Sequence, residues 1–162
     1  MRRASLFALF GFASFILSSI MSPSMAELQY VPQGDKAMAS AFAKAQKTLD
    51  RFLSTAKNPD KDSSKFVIKV YLKDKHGSEY IWVGPFKQKG DKFEGRLMNT
   101  PVNIKIAKYG ETVHFTKSQI KDWGYHKKGK ILGNFTTCVL LEKMPKAQSA
   151  RYYKMGFTCT AQ

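Results

Sequence analysis

Apolar residues recur at steps of three and four between positions 35 and 56. The stripe consists of Met38, Phe42, Ala45, Leu49, Phe52 and Ala56, and the lysines of this segment lie off it. Asp35 precedes the stripe and is suited to cap the first turn of a helix. The spacing predicts an amphipathic helix over 35–56 that packs on a sheet, with a helix lying on a membrane surface as the alternative.

From Lys65 the period changes to two, which is typical of strands with one buried face. Apolar residues alternate with polar ones at Phe66, Ile68, Val70 and Leu72. Further strand patterns follow after short turns, at Glu79 to Val83, Lys92 to Met98, Val102 to Ile106 and Thr112 to Phe115. This spacing predicts a curved antiparallel sheet of about five strands, either open or closed into a small barrel.

The last third of the chain returns to helical patterns. Asn134 can cap a helix that stops before Pro145, and a second short helix over Ala147 to Met155 is expected to end at Gly156. The predicted fold class is therefore α+β, with an N-terminal amphipathic helix, a curved antiparallel sheet and two short C-terminal helices.

The first 26 residues have the pattern of a secretory signal peptide. Arg2 and Arg3 precede an apolar run from Leu6 to Leu17, and small residues lead to a cleavage site between Ala26 and Glu27. The apolar run is shorter than the roughly 20 residues that a permanent anchor needs. We therefore expect a single domain over 27–162 that is periplasmic or secreted and has no membrane span after cleavage.

The chain is strongly basic, with 27 Lys and Arg against 12 Asp and Glu and a formal charge of +15. Removing the leader leaves +13, an excess that attracts polyanions. Nucleic acid is scarce in the expected compartment, so an anionic envelope component or an acidic protein partner is the favoured ligand. The predicted basic surface, for which an ordinary solvated face is the alternative, consists of Lys69, Lys73, Lys105, Lys127, Lys128 and Lys130.

Two cysteines, Cys138 and Cys159, occur near the end of a chain that is expected to be exported. An even count in an oxidising compartment predicts a disulfide between them. A redox pair is less favoured because the Cys-x-x-Cys spacing that activates a thiol is missing.

No sequence motif for catalysis or metal binding stands out. His114, Asp122 and His126 are the one group close enough to consider as metal ligands, and their spacing does not require a metal. Glu94, Glu111 and Asp122 are candidate acids or bases without a motif that fixes their separation. We predict a non-enzymatic binding module without metal or cofactor, with a periplasmic hydrolase or transferase as the alternative.

Several short runs occur in a distinctive order between positions 79 and 141. They read E-Y-I-W-V, F-E-G-R-L-M-N-T-P, K-Y-G-E-T-V-H-F, I-K-D-W-G-Y, G-K-I-L-G-N-F-T and V-L-L. This order resembles the YegJ-like family of bacterial proteins, a domain of unknown function. The motif residues are Trp82, Gly95, Asn99, Pro101, Gly110, Asp122 and Trp123.

The resemblance implies a compact α+β domain, often exported, and brings no reaction, substrate or cofactor with it. Cys138 and Cys159 are not part of the family's pattern, so the disulfide is predicted from this sequence alone. A purely structural interpretation of the motif also exists. Gly95 and Gly110 suit a bulge or a turn, and Asp122 beside Trp123 suits a turn-capping carboxylate next to a packed indole.

Overall fold

A six-stranded antiparallel sheet and three helices make up residues 34–159, the part of the chain that the computed structural model describes. The helices are α1 (Lys36–Lys57), α2 (Phe135–Lys143) and α3 (Lys146–Lys154). The strands are β1 (Ser63–Lys73), β2 (Ser78–Lys89), β3 (Lys92–Leu97), β4 (Thr112–Thr116), β5 (Ile120–Lys127) and β6 (Lys130–Gly133). The strand order is β4-β3-β2-β1-β5-β6, which confirms the predicted α+β class.

The sheet is open and has six strands, so the predicted count of about five is corrected and the barrel is not confirmed. The strand predicted over Val102 to Ile106 is wrong, because these residues belong to the loop between β3 and β4. Val102 and Ile106 are 62% and 58% exposed, whereas Ile104 alone of the three turns inward, at 1%. Ile104 therefore anchors this segment. The segment has no continuous apolar face that pairing with another strand would have to cover.

Carboxylates of the β1–β2 hairpin hold this loop. Glu79 accepts hydrogen bonds from the backbone N–H groups of Val102, at 2.9 Å, and Asn103, at 3.0 Å. Asp74 accepts another from the N–H of Lys105, at 2.6 Å. These bonds take the place of a strand partner for the backbone of the loop.

Strands β5 and β6 were not predicted by the alternation of apolar and polar residues. Three consecutive residues of β5, Asp122, Trp123 and Gly124, are buried, so the period-two signal is lost. Asn134 follows β6 with a φ of 53° and lies so close to Gly124 that a Cβ at Gly124 would overlap its side-chain amide. Asn134 does precede α2, although its side chain makes no capping hydrogen bond.

The core lies between α1 and the sheet. Alternate residues of β1, Ile68, Val70 and Leu72, are buried together with Leu49 and Phe52 of α1. Asp35 caps α1 by accepting a hydrogen bond from the N–H of Met38, at 2.8 Å. The apolar stripe of α1 is therefore packed into the protein.

The C-terminal segment returns alongside β6. The N–H of Ile131 donates to the carbonyl of Gly156 at 2.7 Å, and Ile131 forms an isolated parallel bridge with Phe157. Cys138 of α2 is disulfide-bonded to Cys159 with a Cα–Cα distance of 5.4 Å, which confirms the predicted bond.

Within residues 34–159, no helix combines the length and the apolar character that crossing a membrane requires. The predicted signal peptide and the cleavage site between Ala26 and Glu27 lie outside the described residues.

Candidate functional site

The buried carboxylate of Asp122 and the partly buried ammonium of Lys69 link the middle of the sheet to the start of α2, where both bond to Thr136. Lys69 lies between Trp82 and Asp122 in the strand register. Asp122 has no exposed surface and accepts hydrogen bonds from the N–H and the hydroxyl of Thr136, at 2.8 and 2.6 Å. It also accepts from the N–H groups of Trp123, at 2.8 Å, and Phe135, at 3.3 Å. Asp122 thus satisfies the free N–H groups at the N-terminus of α2 and complements the helix dipole.

The structure removes Lys69 from the predicted basic surface. Its ammonium donates to the hydroxyl of Thr136 at 2.7 Å and lies 4.8 Å from the centre of the Trp82 ring. Burial lowers the pKa of Lys69, and the charge of Asp122 opposes this effect. Burial raises the pKa of Asp122, while the hydrogen bonds from Thr136 and the charge of Lys69 act against it.

Strand β5 also fixes α1. The indole N–H of Trp123 donates to the carbonyl of Ala45 at 3.0 Å, and the ring stacks on Phe52 with centroids 4.9 Å apart. The side-chain amide of Gln46 donates to the carbonyl of Ile120 at 2.5 Å. The run I-K-D-W-G-Y at 120–125 therefore holds both α1 and the N-terminus of α2.

The two helices fixed in this way enclose a groove of about 540 Å³, which we call the helical groove. Its lining residues are Ala37, Ser40, Ala41, Lys44, Lys47, Thr48, Arg51, Gly133, Phe135, Cys138, Val139, Glu142, Thr158 and Cys159. The wall formed by α2 and the C-terminal segment is largely apolar and includes the disulfide.

Three cations line the α1 side of the helical groove. Lys44, Lys47 and Arg51 follow one another at spacings of three and four residues, so they project from one face of the helix. All three are exposed, and none forms an ion pair with another residue of the described segment. Glu142 is the acidic residue of the lining.

Most acidic side chains between positions 34 and 159 are engaged within the protein. Of 11 acids, five form ion pairs, three accept backbone N–H groups and Asp122 is buried. The ion-paired acids are Asp35, Asp50, Asp60, Asp62 and Glu94, and the others are Asp74, Glu79 and Glu111. Against 25 Lys and Arg in the same residues, this leaves a large positive excess without an internal partner.

The remaining members of the predicted basic surface lie at opposite ends of β1. Lys73 is paired with Ser78 beside the first hairpin, whereas Lys127 is paired with Ser63 at the other end. Ten residue steps of a strand separate these ends by about 33 Å. Lys105 belongs to the loop that is bonded to the first hairpin, and Lys128 and Lys130 lie at the β5–β6 turn.

At that turn the charge is partly neutralised within the protein. Lys127 is 2.9 Å from Asp60, and Lys128 is 3.8 Å from Asp62. The structure therefore does not bring the six predicted lysines together into one surface.

The histidines considered as metal ligands lie on different parts of the sheet. His114 is opposite Glu94 at the β3–β4 end, and His126 is on β5 opposite Ser64. Burial, followed by the charge of Lys65, lowers the pKa of His126. Among residues 34–159, the structure gathers no group of three or more His, Cys, Asp or Glu that could hold a metal ion.

The other motif residues have roles in packing and loop geometry. A Cβ at Gly95 would lie 2.5 Å from a methyl carbon of Val83, and the N–H of Trp82 donates to Asn99 at 3.4 Å. Gly110 has a φ of +80°, which glycine adopts without strain, and Pro101 is half-buried in the same loop.

The cations of the helical groove were not among the predicted site residues. Their signal in the sequence is the spacing of Lys44, Lys47 and Arg51 on the polar side of the α1 pattern. That spacing is equally typical of a solvated helix face, and the apolar wall opposite comes from residues about 90 positions later.

Comparison with known proteins gives a family for the chain. Residues 35–158 match the model of DUF2314, described as an uncharacterized protein conserved in bacteria. The chain is 29% identical over 114 residues to the "Uncharacterized protein YegJ" of Escherichia coli strain K12, covering 70% of this chain and 73% of that relative. No solved structure matches. The match over 35–158 shows that the chain belongs to the bacterial DUF2314 family, a YegJ-like domain of unknown function.

Proposed function

We propose that this protein is a non-enzymatic binding module that recognises an anionic component of the bacterial envelope through the helical groove. The observation that carries the proposal is the row of three exposed cations on α1 that faces an apolar wall. A negatively charged group can approach this row without displacing an internal acidic partner, because the three side chains form no ion pairs within residues 34–159.

The anchoring of both walls supports binding through a preformed site. Trp123 donates a hydrogen bond to α1, and Asp122 accepts a hydrogen bond from the N-terminus of α2. Neighbouring residues of one strand therefore set the separation of the two walls. A groove that is ordered before the ligand arrives loses less conformational entropy on binding.

The proposed site of action is the periplasm or the outside of the cell. The leader pattern over residues 1–26 and the disulfide between Cys138 and Cys159 support this location. In this compartment the anionic ligands within reach include phosphorylated envelope lipids and polysaccharides.

Lys69 and the buried Asp122 would be the first place to look for a catalytic group, since perturbed pKa values cluster in active sites. Neither residue lines the helical groove. Within residues 34–159, the hydrogen bonds that Asp122 accepts come from Trp123, Phe135 and Thr136. This arrangement favours a structural role for the pair and a binding role for the groove.

Lipopolysaccharide binding tests the proposal. In the variant Lys44→Gln/Lys47→Gln/Arg51→Gln, we expect the affinity of the mature chain for immobilised lipopolysaccharide to fall about tenfold or more. Three exposed charge contacts of roughly 0.5 kcal/mol each account for that change. Binding of the unmodified chain should also weaken as salt rises from low to physiological concentration.

The matched control is Lys61→Gln/Lys75→Gln/Lys108→Gln, which removes the same charge at exposed positions outside the groove. An equal loss in both triple variants would show that net charge alone drives binding and would overturn the assignment to the groove. Retention that does not change with salt would exclude an electrostatic ligand. If the chain bound an acidic protein and not lipopolysaccharide, the ligand would be a protein partner and not an envelope component.

A further inference from the structure

Two neighbouring strands each carry an extra residue at the same end of the sheet. In β1, Lys65 and Phe66 lie between the pairs Ser64–His126 and Val67–Gly124. In β2, Gly84 and Pro85 lie between Val83–Leu97 and Phe86–Gly95. In both places two residues face one on the partner strand, which is the geometry of a β-bulge. Bulges redirect side chains, and they are frequent next to binding sites.

The side chains redirected there line a second groove, of about 1000 Å³, which we call the bulge groove. Phe66 and Phe86 lie in its floor, and Pro85 and Met98 are the more exposed apolar residues beside them. Phe66 stacks on Tyr125 with centroids 5.0 Å apart, so the floor is held by the aromatic core. The bulge groove shares no lining residue with the helical groove.

The pairing between β1 and β2 ends where the bulge groove begins. The two strands pair over Ile68–Lys73 and Ser78–Val83, and the residues beyond these pairs line the groove. The surface opened there is largely apolar, and a hydrocarbon chain gains free energy by covering it.

Two lysines give the bulge groove its charge. Lys57, at the end of α1, and Lys65, in the bulge of β1, both line it. Neither forms an ion pair within the described part of the chain, whereas the acid of the lining, Asp50, is paired with Lys117 at 2.5 Å. Lys65 adopts a φ of 52°, a left-handed conformation that costs energy for residues other than glycine. The groove therefore combines an apolar floor with two cations that lack an internal partner.

We propose that the bulge groove binds a single-chain amphiphile with an anionic head, such as a monomeric fatty acid. The hydrocarbon chain lies on Phe66, Phe86 and Met98, and the carboxylate is held by Lys57 and Lys65. This binding site is independent of the proposed role of the helical groove.

Calorimetric titration of the mature chain with decanoate, below its micelle concentration, tests this site. We expect the variant Lys57→Gln/Lys65→Asn to weaken decanoate binding about fivefold while changing decanol binding less than about twofold. Asparagine is chosen at position 65 because it tolerates the left-handed conformation. The variant Met98→Gln should weaken decanoate and decanol alike, since it removes apolar contact from the chain of both.

Lys61→Gln/Lys75→Gln is the matched control and should leave decanoate binding unchanged. The proposal is overturned if decanoate does not bind, if the control pair weakens it as much as Lys57→Gln/Lys65→Asn, or if Met98→Gln has no effect. Binding that requires phosphatidylglycerol vesicles and fails with monomeric decanoate would also overturn it, because the occupant would then be a membrane surface. The triple variant of the helical groove should bind decanoate normally, which separates this outcome from the lipopolysaccharide result.

Discussion

Lys69 and Asp122 have side chains of types that are usually solvated, and here both contribute to the interior of the protein. Asp122 compensates for its lost hydration through four hydrogen bonds, and Lys69 compensates through Thr136 and the face of Trp82. Asp122 is fully buried, and removing its charge would leave the nearby Lys69 ammonium without the negative charge that opposes its desolvation. The hydrogen bonds of Asp122 fix the start of α2 to the sheet.

Replacing Asp122 with asparagine should destabilise the protein by about 3 kcal/mol, measured by urea unfolding. The amide presents an N–H₂ group to donors on Thr136 and leaves the Lys69 ammonium without a counter-charge. Adding Lys69→Met to Asp122→Asn should recover part of that loss, because the second change removes the uncompensated ammonium. Lys73→Met, at an exposed position of the same strand, is the control. A loss below about 1 kcal/mol for Asp122→Asn would show that the pair is not needed to hold α2.

Because of Asp60, the free energy of unfolding is expected to depend on pH in the acid range. The hydrogen bond from the Lys127 ammonium, together with one from the N–H of Asp62, lowers the pKa of Asp60 from 3.8 to about 2. Because the folded pKa lies below the unfolded one, the stabilisation is present above about pH 4 and is lost as the pH falls towards 2. The stability difference between the unmodified chain and Asp60→Asn, from urea unfolding, should therefore shrink between pH 5 and pH 2. Asp91→Asn, an exposed acid outside the pair, should show less change, and a constant difference for Asp60→Asn would refute the assignment.

Among the elements, the loop between β3 and β4 shows most clearly how distant residues define local structure. Its sequence alternates like a strand over Val102 to Ile106, yet its N–H groups are bonded to Glu79 and Asp74 of the first hairpin. Ile104 is buried and its apolar neighbours are exposed. The carboxylates of one hairpin thus determine the path of a loop 23 to 31 residues later.

Glu79→Ala should loosen this loop without unfolding the sheet. We expect a loss of roughly 1 kcal/mol, since the two hydrogen bonds are exposed and water replaces them in part. Hydrogen exchange of the Val102 and Asn103 amides should become faster, while amides in β1 and β5 keep their protection. Glu94→Ala removes an exposed ion pair with Lys87 at 3.6 Å and should leave these amides unchanged. Unaltered exchange at Val102 in Glu79→Ala would mean that the carboxylate does not hold the loop.

Over the whole molecule, the motif of β5 connects the family resemblance to the proposed binding site. Trp123 and Asp122 are adjacent, and one is bonded to α1 while the other is bonded to α2. The structural interpretation of these two residues is therefore the one that the contacts support. Their contribution to binding is indirect, since they position the helices that carry Lys44, Lys47 and the apolar wall.

The six lysines of the predicted basic surface are dispersed for a geometric reason. Alternation along β1 places Lys69 on the face opposite Ile68, but it does not show that Thr136, at the start of α2, lies beside the Lys69 ammonium. Likewise, Lys73 and Lys127 look similar in the sequence, and only the register of β1 shows that they lie at opposite ends of a strand. In contrast, Lys44, Lys47 and Arg51 are brought together by a single helix, and their proximity was available from spacing alone.

By itself, the sequence determined the features that depend on neighbours within a few residues or on composition. These are the helical stripe of α1, the hairpins of β1 to β3, the excess of positive charge and the family order of short motifs. For the disulfide, the sequence offered a single possible partner for each cysteine. Periodicity and composition carry this information because they depend on local backbone geometry and on charge.

Only the tertiary structure decided which polar residues are buried and which apolar surfaces remain open. The partial burial of Lys69, the loop at Val102 to Ile106 and the two grooves all depend on segments that are far apart in sequence. Burial depends on the residues that come to cover a side chain, and these are chosen by packing over the whole chain. The sites proposed here are therefore properties of the assembled fold.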